Sequence, residues 1–158
     1  MEFVTKRGAN CYNVMKITNP HNIPIVGSFL RLYGEALEER FDNEDFEVEI
    51  LPLSEAENHY GDILVRLGKK IFISERRTGE IGLTEPEMFA AIAHELGHIF
   101  YHTRAWDVDA ENRADTLAAE LGLGSQMISV IEKIIMSRRF RNITSLLVQR
   151  IQFLKHLA

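Results

Sequence analysis

The sequence predicts an α+β fold: an N-terminal helix, a small, mostly antiparallel sheet of about three strands, then a C-terminal half of four helices. Three observations carry this. Apolar residues recur at spacings of three and four from Ile25 to Phe41. Short alternating or β-rich runs lie between Phe46 and Ser74, and helical periodicity returns after Leu83 and lasts to the end. A length of 158 residues suits one domain over 1–158, with 1–24 as a flexible or covering segment. A chain of that size buries roughly 68–70% of its unfolded surface and needs no disulfide.

In chain order, Asn19-Pro20 and Ile23-Pro24 break the polar opening segment. The first helix runs from Ile25 to Phe41, with Glu35, Glu38, Glu39 and Arg40 facing outward. Phe46–Ile50 alternates strictly, as a half-buried strand does. Asp62–Leu67 and Lys70–Ser74 are two further strands joined by a hairpin at Leu67-Gly68-Lys69. Thr84-Glu85-Pro86-Glu87 is a capping box that opens a helix reaching about His102. The next helix starts near Asp109, or one turn earlier at Asp107, and ends at Gly122. Ser125 caps a third helix to Ser137, and Asn142 or Thr144 caps a fourth ending at Leu157.

Composition narrows the function classes. Hydrophobic residues make up 46% and charged residues 26%, with a net charge of −5. That balance argues against a general nucleic-acid binder, which needs a basic field. Cys11 is the single cysteine, so an internal disulfide and a Cys-rich zinc site are excluded. The opening residues lack the apolar core of a signal peptide, and no apolar run is long enough to span a membrane. The expectation is a soluble, cytoplasmic protein with no membrane partner. Any metal must be held by histidine and carboxylate, and the chain has six histidines.

His94-Glu95-Leu96-Gly97-His98 is an H-E-x-x-H motif within an otherwise apolar helical stretch. Residues four apart share a helix face, so two imidazoles there reach one Zn²⁺ at about 2.0–2.1 Å. Burying two histidines and a glutamate in such a helix without partners is costly, and a metal relieves that cost. Glu95, one residue along, sits beside the metal's water, where it can take a proton and return it to a leaving amine. A third ligand comes from His102, from Asp107 or Asp109, or from Glu111. His102 lies too far round and along the helix to close a tetrahedron. Glu111 has Asp115 one turn later on the same face, suited to hold an imidazole N–H. Ala114, Ala118 and Ala119 keep that helix slim enough for close approach to the motif helix. Tyr101 and Arg104 occupy the positions where a metzincin has Gly and its last ligand, so that arrangement is excluded.

H-E-L-G-H followed by E-x-x-A-D at Glu111–Asp115 resembles the gluzincin metallopeptidases. The stretch Thr116–Gly124, then Ile128–Lys133 and the late Arg150-Ile151, resembles the Ste24/HtpX-like (M48) peptidases, here as a minimal soluble relative. A second resemblance, through Ile71–Glu75 ahead of the motif helix, is to the ImmA/IrrE-type gluzincins that cleave repressors. The resemblance implies a zincin-like fold, Zn²⁺ on His94, His98 and Glu111, Glu95 as the base, and Asp115 orienting the site. It also implies a protein or peptide substrate added as a strand to the sheet's edge, for which Lys70–Ser74 is the expected strand. Where the M48 peptidases carry His-Pro ahead of Arg150-Ile151, this chain has Thr144-Ser145. The transition-state helper is then sought among Tyr101, His102, Arg150 and His156. Two functions follow as expectations: a zinc-dependent endopeptidase, and a latent or weakly active zinc-bound regulatory module. Elsewhere, Arg138–Arg141 reads as the cationic end of a helix, Cys11 as a stray thiol, His21 and His59 as surface residues, and Trp106 as a packing residue.

Overall fold

The computed structural model describes residues 17–44, 47–54, 62–103, 107–137 and 143–157. The expectations for Cys11, Phe46, His59, Trp106, Arg138–Arg141 and Asn142, and for most of the 1–24 segment, fall outside them. The elements run β1 (Ile17–Thr18), α1 (Pro24–Arg40), β2 (Val48–Pro52), β3 (Leu64–Leu67), β4 (Lys70–Ile73), α2 (Glu75–Ile81), α3 (Glu85–Phe100), α4 (Val108–Glu120), α5 (Gly124–Met136) and α6 (Thr144–Leu157). The class is α+β, and the chain divides into two compact units at Arg77/Thr78.

Alternation along β2 and β4 sends Val48, Ile50, Ile71 and Ile73 into the core of the first unit. The sheet has four strands in the order β1-β2-β4-β3. Only β3 and β4 are antiparallel, while β1–β2 and β2–β4 are parallel, so the mostly antiparallel expectation is corrected to a mixed sheet. The expected hairpin is present. Leu67 pairs with Lys70 across a two-residue turn, with Gly68 at φ +62°, a conformation glycine adopts without strain. Lys70–Ser74 is not an edge. β4 lies between β2 and β3, and among the described residues the edges are β1 and β3. The physical reason is burial. Ile71 and Ile73 are fully buried, whereas no residue of β3 is, and the more apolar strand takes the middle.

α1 begins at Pro24, where proline's missing N–H costs nothing, and buries Val26, Phe29, Leu30 and Leu37. Glu38, expected to face outward, is buried instead. β1 and α2 had no counterpart in the sequence reading. Two residues form no detectable period, and α2 buries none of its residues.

The second unit is built by α3 to α6, the four helices expected. The capping box at Thr84 is formed: Glu87 N donates to Thr84 Oγ1, and Thr84 N donates to Glu87 Oε1 at 2.8 Å. Glu87 also accepts from Ser129 Oγ and, at 2.6 Å, from Lys133 Nζ, which ties the start of α3 to α5. Asp107 caps α4 by accepting from Ala110 N at 2.9 Å. α3 and α4 approach so closely that a Cβ on Gly97 would stand 2.5 Å from the Ala114 carbonyl oxygen. The slim face expected at Ala114 thus meets a glycine rather than a side chain. Among the described residues, no helix is long and apolar enough to cross a membrane.

Candidate metal centre

α3 is buried on nearly every side, so its polar residues need partners within the protein. His94 and His98 stand one turn apart with rings edge to face, centroids 4.7 Å apart. Each imidazole is fixed from behind. His94 Nδ1 donates to Asp115 Oδ1 at 2.7 Å. Behind His98, the Thr103 hydroxyl donates to the His98 carbonyl at 3.3 Å, so its oxygen is left to accept from Nδ1 at 2.7 Å. In the neutral Nδ1–H tautomer that these partners accommodate, each imidazole would present an Nε2 lone pair to the cluster; with a proton there instead, Nε2 donates to Glu111.

The two Nε2 atoms converge to 3.2 Å. Glu111, from the first turn of α4, meets both: Oε2 lies 2.8 Å from His98 Nε2 and Oε1 lies 3.5 Å from His94 Nε2. Ligands held at about 2.0–2.1 Å in a tetrahedron lie about 3.3 Å apart; the 3.2 Å between the imidazoles and the 3.5 Å to Glu111 Oε1 are close to that edge, while the 2.8 Å contact, made by the other Glu111 oxygen, is shorter. The residues present fit the metal. Glu95 Oε1 is 4.0 Å from His94 Nε2, farther than either Glu111 contact. His94, Glu95 and His98 offer ligand atoms within 4.8 Å of one another, and Glu111 lies nearer to both imidazoles than Glu95 lies to His94. No known protein family, curated protein or solved structure matches the chain.

The electrostatics follow from burial. Asp115 is fully buried and Arg150 is 5% exposed. Arg150 donates through Nε to Asp115 Oδ2 and through Nη2 to Asp115 Oδ1, both at 2.8 Å. Burial works against the Asp115 charge, but His94 and Arg150 overcome it and hold the carboxyl below its usual range. Burial likewise opposes ionisation of Glu111, which hydrogen bonds to His94 and His98 and the charges of His94 and Arg150 hold well below the ordinary carboxylate value. For His94, burial and Arg150 disfavour the imidazolium. The Asp115 carboxylate and the hydrogen bonds to Asp115 and Glu111 outweigh them and raise it to about 9. A positive species between the two Nε2 atoms and Glu111 is what this cluster favours, whether proton or metal ion.

Of the other candidate ligands, Asp107 is engaged as the α4 cap, Asp109 is exposed, and His102 is exposed beyond the end of α3. Among the sought helpers, Tyr101 donates to Glu120 at 2.7 Å with Arg113 over its ring, and His156 is exposed near the end of α6. Arg150, one of the four candidates, does reach the cluster, where it grips both oxygens of Asp115. Thr103 was missed altogether. Its position depends on His102, whose φ of +54° turns the chain back so that Thr103 N bonds the His98 carbonyl at 3.1 Å. A histidine in left-handed backbone carries no sequence signal of its own.

Proposed function

We propose that the protein is a zinc-dependent endopeptidase with a minimal zincin-like, gluzincin arrangement. The observation that carries this reading is the convergence of two anchored imidazoles and the Glu111 carboxylate within 2.8–3.5 Å of one another, with Glu95 alongside. His94, His98 and Glu111 hold the ion, which when bound polarises a peptide carbonyl and acidifies water. Glu95 takes a proton from the attacking water as its oxygen joins the carbonyl carbon. It then delivers that proton to the amine nitrogen as the C–N bond breaks. Asp115 and Thr103 hold the imidazoles in the orientation this requires.

The test is a pair of measurements on Glu95→Gln. The variant should bind one zinc per chain as the parent does, while peptide hydrolysis falls by about 10²–10⁴. A parent that binds no zinc, or a variant with undiminished hydrolysis, overturns the reading. A second reading, a zinc-bound regulatory protein with little turnover, is favoured by one observation. Two of the four sought helpers, Arg150 and Tyr101, are committed to Asp115 and Glu120. Zinc binding without hydrolysis of unstructured proteins by the parent supports that alternative.

A further inference from the structure

We infer that Arg150 is a positioning residue for the metal centre, acting through Asp115 and His94 rather than on the reacting groups; this rests on the zinc site proposed above. Arg150, on α6, spends Nε and Nη2 on the two oxygens of a single carboxylate, at 2.8 Å each. That fork fixes the plane of the Asp115 carboxylate, because two parallel N–H bonds leave it no freedom to turn. The fixed oxygen Oδ1 is the one that accepts from His94 Nδ1 at 2.7 Å. Arg150 Nη2 is itself 3.3 Å from His94 Nδ1, and both are donors, so they are joined only through the Oδ1 they share. Nη1 lies 3.6 Å from Glu111 Oε1, giving the guanidinium a second acidic neighbour in the cluster.

The charge arrangement points the same way. Asp115 has no exposed surface, and a buried carboxylate without a fixed countercharge turns, takes a proton or draws in water. Any of these releases the His94 ring. Lysine cannot replace this grip, since its ammonium is a point charge and not a fork. A residue poised to stabilise a substrate oxyanion needs a donor aimed at open space; here Nε and Nη2 are committed to Asp115, and the side chain is 7% exposed.

Arg150→Lys and Arg150→Gln, made in the full chain, test the inference through metal affinity, read by competition with a chromophoric chelator. Both should bind zinc about 10–100-fold more weakly than the parent. Cobalt(II) substituted in Arg150→Lys should give a weakened or shifted tetrahedral visible spectrum. The double variant Arg150→Gln/Asp115→Asn should lose little more affinity than Asp115→Asn alone, because the two side chains act as one unit. Unchanged zinc affinity with a fall in kcat alone would overturn the inference and return Arg150 to the reacting side. Losses that multiply in the double variant would also overturn it. Should Arg150→Gln fail to fold, Arg150→Lys and its cobalt spectrum decide. A parent that binds no zinc sinks the zinc site itself, which separates that failure from this one.

Discussion

Thr103 has no strong affinity for metal, yet its hydroxyl holds the rear nitrogen of His98. Its hydroxyl lies 2.7 Å from His98 Nδ1 and 3.3 Å from the His98 carbonyl, so it can accept from Nδ1 and leave Nε2 to the cluster. Thr103→Val keeps the shape and removes that constraint. Zinc affinity should fall about 10–100-fold, while the melting temperature of the metal-free protein moves little. An unchanged affinity in the chelator competition would show that the hydroxyl is not what orients His98. At this scale the sequence is legible where chemistry follows a local period. His94, Glu95 and His98 share a helix turn, and so do Glu111 and Asp115, so both groups stand out by spacing alone. Thr103 does not, because it reaches His98 only through the left-handed residue at His102. Arg150 is an intermediate case. The residue can be picked out in the sequence, but its partner lies 35 positions away, and no period connects α6 to Asp115.

The same contrast holds for elements. The long helices are legible because each is settled by neighbours within a few residues, as the Thr84 capping box shows, but Ser125, expected as a cap, lies inside α5 behind Leu123, and the short α2 leaves no period. Sheet order is not legible, since alternation tells which face of β4 is buried and says nothing of which strands flank it. Gly97 is an element-scale feature in the same sense, for its role appears only when α4 is laid against α3. A methyl at 97 would meet backbone atoms of Ala114 at 2.5 to 3.0 Å, and backbone cannot swing aside as a side chain can. Gly97→Ala should therefore cost about 1–3 kcal/mol in denaturant unfolding and also weaken zinc binding, because Glu111 and Asp115 move with α4. A variant with parental stability and affinity would mean that the two helices separate without disturbing the ligands. The other end of α3 gives a pH prediction. Burial would raise the Glu87 carboxyl, but hydrogen bonds from Lys133, Ser129 and the Thr84 amide, with the Lys133 charge, lower it to about 2 from an ordinary 4.5. A depressed carboxyl stabilises above its unfolded value and loses that contribution as pH falls, here between 4.5 and about 2. The parent should lose on the order of 3 kcal/mol more across that window than Glu87→Gln. Parallel stability curves for the two proteins would refute this.

At the scale of the whole chain, the distribution of the site is the informative fact. His94, Glu95, His98, Thr103, Glu111, Asp115 and Arg150 all lie in the unit Thr78–Ala158, on α3, its C-terminal turn, α4 and α6. None lies in the unit that carries the sheet. An ion that binds the folded site and not the unfolded chain stabilises by mass action, about 2.7 kcal/mol at one hundred times its dissociation constant. The stabilisation enters wherever the opening reaction breaks the site. Opening α4 removes Glu111 outright and with it the metal's grip, while opening α6 takes Arg150 from Asp115 and weakens that grip. Hydrogen exchange with and without zinc reads this directly. Zinc at one hundred times its dissociation constant should slow the most protected amides of α3 and α4 by about a hundredfold, and those of α6 by about tenfold or more. Removing it with a chelator should restore the faster rates. A zinc effect on β2 and β4 of the same size would mean that the two units open in one step, and a smaller one that they open separately. If α4 and α6 exchange no more slowly with zinc than without, the ion is not held between these helices, and the metal centre described above is wrong.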